Sequence, residues 1–341
     1  MQVGILTGGG DCPGLNAVIR AVVRRAEEHG DTVLGIRDGW KGLIEDTTRI
    51  LDVEACRGIL IRGGTILGTT RYQPFAFEGG VDACRRTFER HNLSALIAVG
   101  GDGTLAVADR MVKEGFPIVG VPKTIDNDIK GTERTFGFDT AVQTATEAID
   151  RLHSTAESHD RVMVVEVMGR HVGHIAAWAG IAGGASAILV PEEPFDIKDI
   201  CQIITRKHHE GRFATIVVVA EGALPIPGTM DIPEPEFNEF GQIKHGGIAY
   251  EVAKELERGT GFETRVTVLG HIQRGGTPTA TDRVLSTRFG VAAMDAVIDQ
   301  DFGAMVALES DRIVRKRLSD CVGELKVVDN DLLRVARVFT N

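Results

Sequence analysis

Short apolar runs alternate along the chain with longer segments in which apolar residues recur at helical spacing. The apolar runs predict strands, among them residues 2–7, 32–36, 95–99, 117–121, 162–167, 187–190, 215–220 and 265–270. The periodic segments predict helices, among them 15–28, 105–113, 140–159, 196–210, 247–258 and 282–297. Because strands that alternate with helices form parallel sheets with helices on both faces, we predict an α/β fold. The proline-bearing stretch 223–245 predicts a loop.

Composition restricts the class of protein. The chain has 341 residues, enough for two domains, and its formal net charge of −10 argues against a nucleic-acid-binding surface. The longest uncharged run, 175–191, is shorter than the roughly 20 residues of a membrane helix. The five cysteines are scattered without a Cys-x-x-Cys pair, and no export signal is visible. We therefore expect a cytoplasmic protein that has neither a zinc site nor disulfides and binds neither nucleic acid nor membrane.

Polar and glycine-rich segments follow the predicted strands again and again. They occupy residues 8–11, 102, 124–128, 168–171, 221 and 271–274. The carboxyl ends of parallel strands lie at one edge of a sheet, where open α/β sheets bind ligands. The pattern therefore predicts that these residues line a crevice.

Two of these segments are glycine-rich turns between a strand and a helix. One is Gly8–Gly14 and the other is Gly100–Thr104. Glycines let backbone N–H groups approach an anion, and the N-terminus of a helix adds partial positive charge, so both turns suit phosphate. Asp102 is an oxygen ligand of the kind that a magnesium ion bridging phosphates prefers. The first turn lacks the lysine of a P-loop and the glycine spacing of a dinucleotide fingerprint, and a tight structural turn is the alternative for it. Two such turns in one chain are harder to explain as structural turns alone.

The stretch Pro122–Asp128 carries a hydroxyl, an ammonium, an amide and two carboxylates directly after a predicted buried strand. One carboxylate could accept a proton from a substrate hydroxyl, and the other could help to hold a cation. The alternative is an ordinary polar turn, since Asp and Asn are common turn residues. Arg71, in another glycine-rich loop, is a candidate phosphate clamp or else a solvated surface arginine.

Taken together, the motifs resemble those of the 6-phosphofructokinase family over nearly the whole chain. The resemblance rests on Gly9–Asn16, Gly100–Thr104, Pro122–Asp128, Met168–His171 and Gly270–Gly276. It implies magnesium-dependent phosphoryl transfer to O1 of fructose 6-phosphate and two similar three-layer α/β/α domains with mostly parallel sheets. The larger, nucleotide-binding domain is expected at 1–137 plus 252–301, and the smaller, sugar-phosphate-binding domain at 138–251 plus 302–341.

The resemblance also implies residue roles. Asp126 would be the general base, and Thr124, Arg170 and the Gly10 backbone would stabilise the transferring group. Asp102 and Asp128 would bind Mg²⁺. The nucleotide would contact Gly10, Arg71, Tyr72, Gly101, Asp102, Gly103 and Thr104. The sugar phosphate would contact Thr124, Ile125, Asp126, Met168, Gly169, Arg170, Glu221, His271 and Arg274.

Arg161 and Arg265 match family positions that reach the 6-phosphate from a neighbouring subunit, so a homodimer or homotetramer with shared active sites is expected. Two positions bear on the phosphoryl donor. Gly103 leaves room for a nucleotide where pyrophosphate enzymes of the family carry an aspartate, whereas Lys123 occurs more often in pyrophosphate enzymes. Because a steric block excludes a ligand and a spare ammonium does not, we predict ATP as the donor, with pyrophosphate as the alternative.

Two further alternatives stay open on the sequence alone. The chain could be a catalytically silent sugar-phosphate-binding module, although the joint presence of Asp126, Asp102 and Arg170 argues against this. The acceptor could also be a related sugar phosphate such as sedoheptulose 7-phosphate. Glu221 has a purely structural alternative as well, because a carboxylate at that place would also cap a turn.

Overall fold

A computed structural model describes residues 1–211, 214–232 and 246–340. The chain divides into two compact units. Unit 1 comprises Met1–Thr140 and Arg274–Lys326, and unit 2 comprises Ala141–Gln273 and Val327–Asn341.

The strands are β1 (Gln2–Gly8), β2 (Thr32–Ile36), β3 (Thr48–Leu51), β4 (Leu93–Gly100), β5 (Ile118–Thr124), β6 (Phe136–Gly137), β7 (Val162–Val167), β8 (Ala187–Leu189), β9 (Thr215–Ala220), β10 (Thr264–Val268), β11 (Ala304–Glu309) and β12 (Arg312–Arg317). The helices are α1 (Leu15–His29), α2 (Trp40–Glu45), α3 (Gly80–Arg90), α4 (Asp102–Lys113), α5 (Phe138–His159), α6 (His174–Ala182), α7 (Ile197–His209), α8 (Ile248–Thr260), α9 (Ala280–Ile298) and α10 (Asn330–Thr340).

The sheet of unit 1 has the strand order β12-β11-β5-β4-β1-β2-β3, with β6 paired to β5. Its pairs are parallel except β2 with β3 and β11 with β12. Side chains alternate between the two faces of a strand. Leu6, Leu96 and Ile118 therefore share one core with Phe88 of α3 and Met111 of α4. Helices α1 and α9 pack on each other and against strands of the same sheet.

Unit 2 contains the parallel sheet β10-β7-β9-β8. Val164 of β7 and Val219 of β9 share a core with Ile204 of α7 and Leu256 of α8. Helix α6 contacts β8 and β9, and α10 contacts α6. The predicted α/β class with mostly parallel sheets is confirmed.

The unit boundaries differ from the bounds expected from the sequence. Residues 252–273 belong to unit 2, because β10 pairs with β7, and residues 302–326 belong to unit 1, because β11 pairs with β5. The first crossing lies at Thr140, three residues after the expected boundary, and α5 starts in unit 1 and continues in unit 2. The assignment of nucleotide to one domain and sugar phosphate to the other stays a prediction.

Several elements also start or end at residues other than those predicted. Strand β5 continues through Lys123 and Thr124, because these residues pair with β6. Of the loop predicted at 223–245, residues 233–245 lie outside the described residues. Residues 223–232 form turns with a bridge between Phe195 and Pro225. Within the described part of the chain, no helix combines the length and the apolarity that a membrane crossing requires.

Candidate active site

The ends of three adjacent strands in unit 1 are in register. Gly8 of β1 pairs with Gly100 of β4, and Gly100 pairs with Pro122 of β5. Because all three strands are parallel, the segments that follow them start at the same edge of the sheet. The structure thus brings together the two glycine-rich turns and the acidic stretch that the sequence singled out.

Close packing explains the glycines at two of these strand ends. A Cβ added to Gly8 would lie 2.7 Å from the Thr104 hydroxyl oxygen, and one added to Gly100 would lie 2.3 Å from the Thr104 Cβ. Thr104 belongs to α4, which starts at Asp102, three residues earlier than predicted. Asp102, Gly103 and Thr104 therefore form the first turn of the helix. Its partially positive N-terminus lies directly after the end of β4, where it would attract an anion.

The loop that contains Arg71 and Tyr72 is tied to the first glycine turn. The Gly9 N–H donates to the Thr70 carbonyl oxygen at 3.1 Å, and the Thr69 hydroxyl donates to the Gly9 carbonyl oxygen at 2.6 Å. Arg71 and Tyr72 come next and are exposed. The two residues predicted to contact the nucleotide are thus held beside the first glycine-rich turn, Gly8–Gly14.

The Tyr72 ring has a defined surrounding. It stacks on Phe77 with 4.6 Å between ring centroids, and the Lys41 ammonium lies 6.0 Å from the Tyr72 centroid. Tyr72 is 40% exposed, so part of the side chain remains accessible. This ring is a suitable surface for a flat ligand group.

Two cationic groups flank the backbone of Gly10. Lys123 is 4% exposed, and its ammonium donates to the Gly10 carbonyl oxygen. Burial lowers the pKa of Lys123 from its ordinary value. A Cβ added to Gly10 would lie 3.1 Å from a guanidinium nitrogen of Arg274, so this cation is also close to the Gly10 backbone. Lys123 and Arg274 together make the surroundings of the first glycine-rich turn favourable for phosphate oxygens.

The acidic stretch is buried and held by backbone contacts. Asp126 and Asp128 are each 6% exposed, and the Asp126 N–H donates to the Thr124 hydroxyl at 3.0 Å. The side chain of Ile125 is buried in the core. Asn127 has a left-handed backbone with φ 54°, and its side-chain oxygen accepts from the Thr135 N–H at 3.0 Å. The carboxylates thus lie on a loop of fixed conformation.

The carboxylates fit a magnesium ion that arrives with a phosphate ligand. Asp102 and Asp128 follow the neighbouring strands β4 and β5, and both offer the oxygen ligands that Mg²⁺ prefers. Among the described residues, no three His, Cys, Asp or Glu side chains form a group that would hold a metal ion. In proteins, Mg²⁺ is usually held by one or two carboxylates, and substrate phosphates and water complete its ligands.

In unit 2, three strand ends again carry the predicted residues. Met168–Arg170 follow β7, Glu221 follows β9, and His271 lies in a 3-10 turn after β10. The Gly169 and Arg170 N–H groups donate to one Glu221 carboxylate oxygen at 3.3 and 3.0 Å. Arg170 has φ 55°, so Glu221 holds the loop after β7 in a conformation that few side chains adopt.

Glycine is required at position 169. Its φ is 151°, and an added Cβ would lie 2.4 Å from the Val172 carbonyl oxygen. His271 is exposed, and Arg274 belongs to unit 1.

Arg161 and Arg265 do not lie with these residues. Arg161 precedes β7, whereas Met168 follows it, so roughly 20 Å of strand separates them. Arg265 is in β10, beside Met163 near the start of β7. The Arg161 guanidinium bonds a Glu263 carboxylate oxygen at 2.6 Å, and Arg265 pairs with the other oxygen of Glu263.

Three residues that sequence reasoning did not single out support the loops. Asn16 donates to the carbonyl oxygens of Arg62 and Gly63 at 3.0 and 3.2 Å. Gln273 is fully buried and accepts from the Met168 N–H at 2.9 Å. Asn16 lies within the motif Gly9–Asn16 and Gln273 within the motif Gly270–Gly276, and this was the only sequence signal for their importance. Lys326 donates to Asn127, and nothing in its local sequence indicates this contact.

The sequence matches the family described as Phosphofructokinase over residues 2–297. A pyrophosphate–fructose 6-phosphate 1-phosphotransferase from Amycolatopsis methanolica is 54% identical over 340 residues, which span 99% of this chain and 99% of the relative. An ATP-dependent 6-phosphofructokinase from Corynebacterium efficiens is 54% identical over 330 residues, which span 96% of this chain and 95% of the relative.

Solved structures agree with these sequence comparisons. A phosphofructokinase from Pichia pastoris superimposes with a TM-score of 0.83 at 34% identity, over 99% of this chain and 36% of the larger yeast chain. The fold, the aligned strand-end motifs and the sequence matches lead to one conclusion: the chain is a member of the phosphofructokinase family.

Proposed function

We propose that this protein transfers the γ-phosphoryl group of ATP to O1 of fructose 6-phosphate, with Mg²⁺, giving fructose 1,6-bisphosphate and ADP as a cytoplasmic step of glycolysis. The observation that supports this most is the register of Gly8, Gly100 and Pro122. It aligns a backbone cradle, a helix N-terminus with Asp102, and a buried acidic loop along one edge of a sheet. Phosphoryl transfer needs these groups for positioning and for charge neutralisation.

Asp126 is the general base in this proposal. Its carboxylate would take the proton of the sugar 1-hydroxyl as the oxygen attacks the γ-phosphorus. The Thr124 hydroxyl, the Arg170 guanidinium and the Gly10 N–H would stabilise the charge on the transferring group. The fixed conformation of 124–128 supports these roles, since Thr124 and Asp126 are joined by a hydrogen bond.

Asp102 and Asp128 would hold Mg²⁺, which neutralises charge on the donor phosphates when it is bound. Arg71, Tyr72 and the first turn of α4 would contact the nucleotide. The residues proposed for the sugar phosphate are Thr124, Ile125, Asp126, Met168, Gly169, Arg170, Glu221, His271 and Arg274.

Arg161 and Arg265 would complete the active site of a neighbouring subunit. Their place near the amino end of the unit 2 sheet, opposite to Met168–Arg170, supports this assignment, because they do not serve the same edge of the sheet. The proposal therefore includes a homo-oligomer, either a dimer or a tetramer. A variant in which both arginines are replaced would be expected to lose affinity for fructose 6-phosphate while still assembling.

The choice of ATP rests on Gly103. An added Cβ at this position has no neighbouring atom within 4 Å, so the first turn of α4 leaves open space where a nucleotide would lie. The Corynebacterium efficiens relative, named as ATP-dependent, supports this choice.

Pyrophosphate is the second candidate donor, and Lys123 favours it. Its ammonium is buried against the Gly10 carbonyl oxygen, where it would face a small, highly charged anion. The Amycolatopsis methanolica relative, named for pyrophosphate, points the same way.

The test is to measure initial rates with fructose 6-phosphate and Mg²⁺, using ATP and pyrophosphate in parallel. We expect turnover with ATP. Turnover with pyrophosphate alone would overturn the donor assignment. Turnover with neither donor, while fructose 6-phosphate still binds, would favour a silent sugar-phosphate-binding module. A parallel assay with sedoheptulose 7-phosphate would test the acceptor.

A further inference from the structure

Lys326 joins the acidic loop of unit 1 to a segment far away in the sequence. Its ammonium donates to the Asn127 side-chain oxygen at 2.9 Å and to the carbonyl oxygens of Thr132 and Glu133 at 3.0 and 2.9 Å. Its own N–H donates to the Asp128 carbonyl oxygen at 2.9 Å. A bridge between Ile129 and Leu325 continues the same contact.

The Asn127 oxygen is the centre of this arrangement. It accepts from Lys326 and also from the Thr135 N–H at 3.0 Å. The Thr135 hydroxyl donates to the carbonyl oxygen of Thr124 at 2.8 Å. Thr135 thereby connects Asn127 to the last residue of β5. Both ends of the loop 124–128 are therefore tied to one buried asparagine, and Lys326 ties that asparagine to residues 132 and 133.

The geometry explains why a lysine is needed here. An ammonium has three N–H donors, and these three acceptors use all of them. The Asn127 side chain is 5% exposed, so removal of the ammonium would leave a buried oxygen without one of its donors. Asn127 also has a left-handed backbone, which persists only when its surroundings hold it.

From these contacts we infer that Lys326 is a positioning residue for phosphoryl transfer: it fixes Asn127 and thereby the direction in which Asp126 and Asp128 present their carboxylates. The inference rests on the proposed function of this loop. Small displacements of reacting groups are costly, since a shift of about 1 Å reduces turnover by roughly 10²-fold.

The test compares Lys326→Met with Lys207→Met. Lys207 is a suitable control because its ammonium, like that of Lys326, donates to backbone carbonyl oxygens, those of Ser186 and Phe339, but in unit 2. We expect both variants to lose some thermal stability. Only Lys326→Met should lose turnover, with kcat lower by about 10- to 100-fold and the KM for fructose 6-phosphate changed less than about threefold.

The outcomes separate this inference from the proposed function. If the wild-type protein has no phosphotransferase activity, the proposed function fails. If the wild type is active and folded Lys326→Met keeps kcat within about twofold, the positioning role is wrong. An equal loss of kcat in Lys207→Met would also overturn it, since general destabilisation would then explain the effect. Should Lys326→Met not fold, Lys326→Gln, which keeps two donors, replaces it under the same criteria.

Discussion

The acidic loop 124–128, which begins at the last residue of β5, and the loop 168–170 after β7 are held in different ways. Each contains a non-glycine residue with a left-handed backbone, Asn127 with φ 54° and Arg170 with φ 55°. In the first loop, the fixing group is the neutral amide of Asn127 itself. In the second, it is a carboxylate from another strand end, Glu221.

The two loops are therefore held by groups of different charge. Glu221 accepts two backbone N–H bonds, so its carboxylate holds the loop after β7 directly. In the acidic loop 124–128, the side-chain oxygen of Asn127 accepts the bonds from Thr135 and Lys326.

The largest expected effect comes from the proposed base. Asp126→Asn should lower kcat by about 10²- to 10⁴-fold, because the sugar hydroxyl loses its proton acceptor. Binding of fructose 6-phosphate, measured by calorimetry, should persist. The matched control is Asp109→Asn, which changes a buried aspartate that bonds Lys113 within α4. Near-normal turnover in Asp126→Asn would remove the distinction between the two loops.

The carboxylate of Asp282 tests how the segment that pairs with the end of β5 is held. Asp282 is buried and accepts from the Thr140 N–H and hydroxyl at 2.8 and 2.6 Å. Thr140 follows shortly after β6, the strand that pairs with Lys123 and Thr124. Burial raises the pKa of Asp282 from 3.8 to about 6. The folded protein therefore holds this proton more tightly than the unfolded chain does. The contribution of Asp282 to the free energy of unfolding should fall as pH rises from about 4 to about 6.

The size of this loss is at most about 3 kcal/mol, since each pKa unit corresponds to about 1.4 kcal/mol. Asp282→Asn keeps an acceptor oxygen for Thr140 but does not titrate. Urea unfolding of both proteins at several pH values between about 4 and 7 measures the difference. Equal pH dependence in the two proteins would contradict the raised pKa.

Glu221 tests the other loop. Glu221→Gln keeps an oxygen for the Gly169 and Arg170 N–H groups, so Tm should stay near that of the wild type. The KM for fructose 6-phosphate should rise about tenfold, because a charged acceptor for the sugar hydroxyls is lost. Glu221→Ala should raise the KM and lower Tm as well. A wild-type KM in Glu221→Gln would mean that the carboxylate only holds the loop.

Gly103 lies outside both loops and tests the choice of phosphoryl donor. Gly103→Asp should leave Tm unchanged, because the added side chain enters open space. The KM for ATP should rise roughly tenfold, since the carboxylate crowds and repels the nucleotide phosphates. The KM for fructose 6-phosphate measures whether the acceptor side is undisturbed. Unchanged kinetics with ATP would remove Gly103 as the basis for donor choice.

The sequence was informative where the signal is local. Buried parallel strands such as β7 and β9 are mostly apolar runs, and both were predicted with their observed bounds. Helix α3 was not predicted, because its buried side chains form a narrow stripe among charged residues. The start of α4 was placed too late because Gly103 is a poor helix former, whereas the packing of Thr104 under two strand ends overrides that preference.

In the candidate site, too, residues with a local sequence signal were predicted and residues without one were not. Motif residues at strand ends were found because strand-end position and residue type are both visible in the sequence. The supports behind them were not, since Lys326 acts on Asn127 across 199 positions and Asp282 acts on Thr140 across 142. Such contacts depend on tertiary packing, which has no local pattern.

The order of strands in unit 1 has a consequence for synthesis on the ribosome. One neighbour of β5 is β11, whose first residue is made about 180 residues after the last residue of β5. At roughly 5 to 20 residues per second, the nascent chain waits roughly 10 to 40 s for that partner. During this time one edge of β5 lacks its final partner, which makes that edge a template for wrong pairing. Lys326 emerges later still, so the acidic loop reaches its final conformation only after the chain of unit 2 up to Gln273 has been translated.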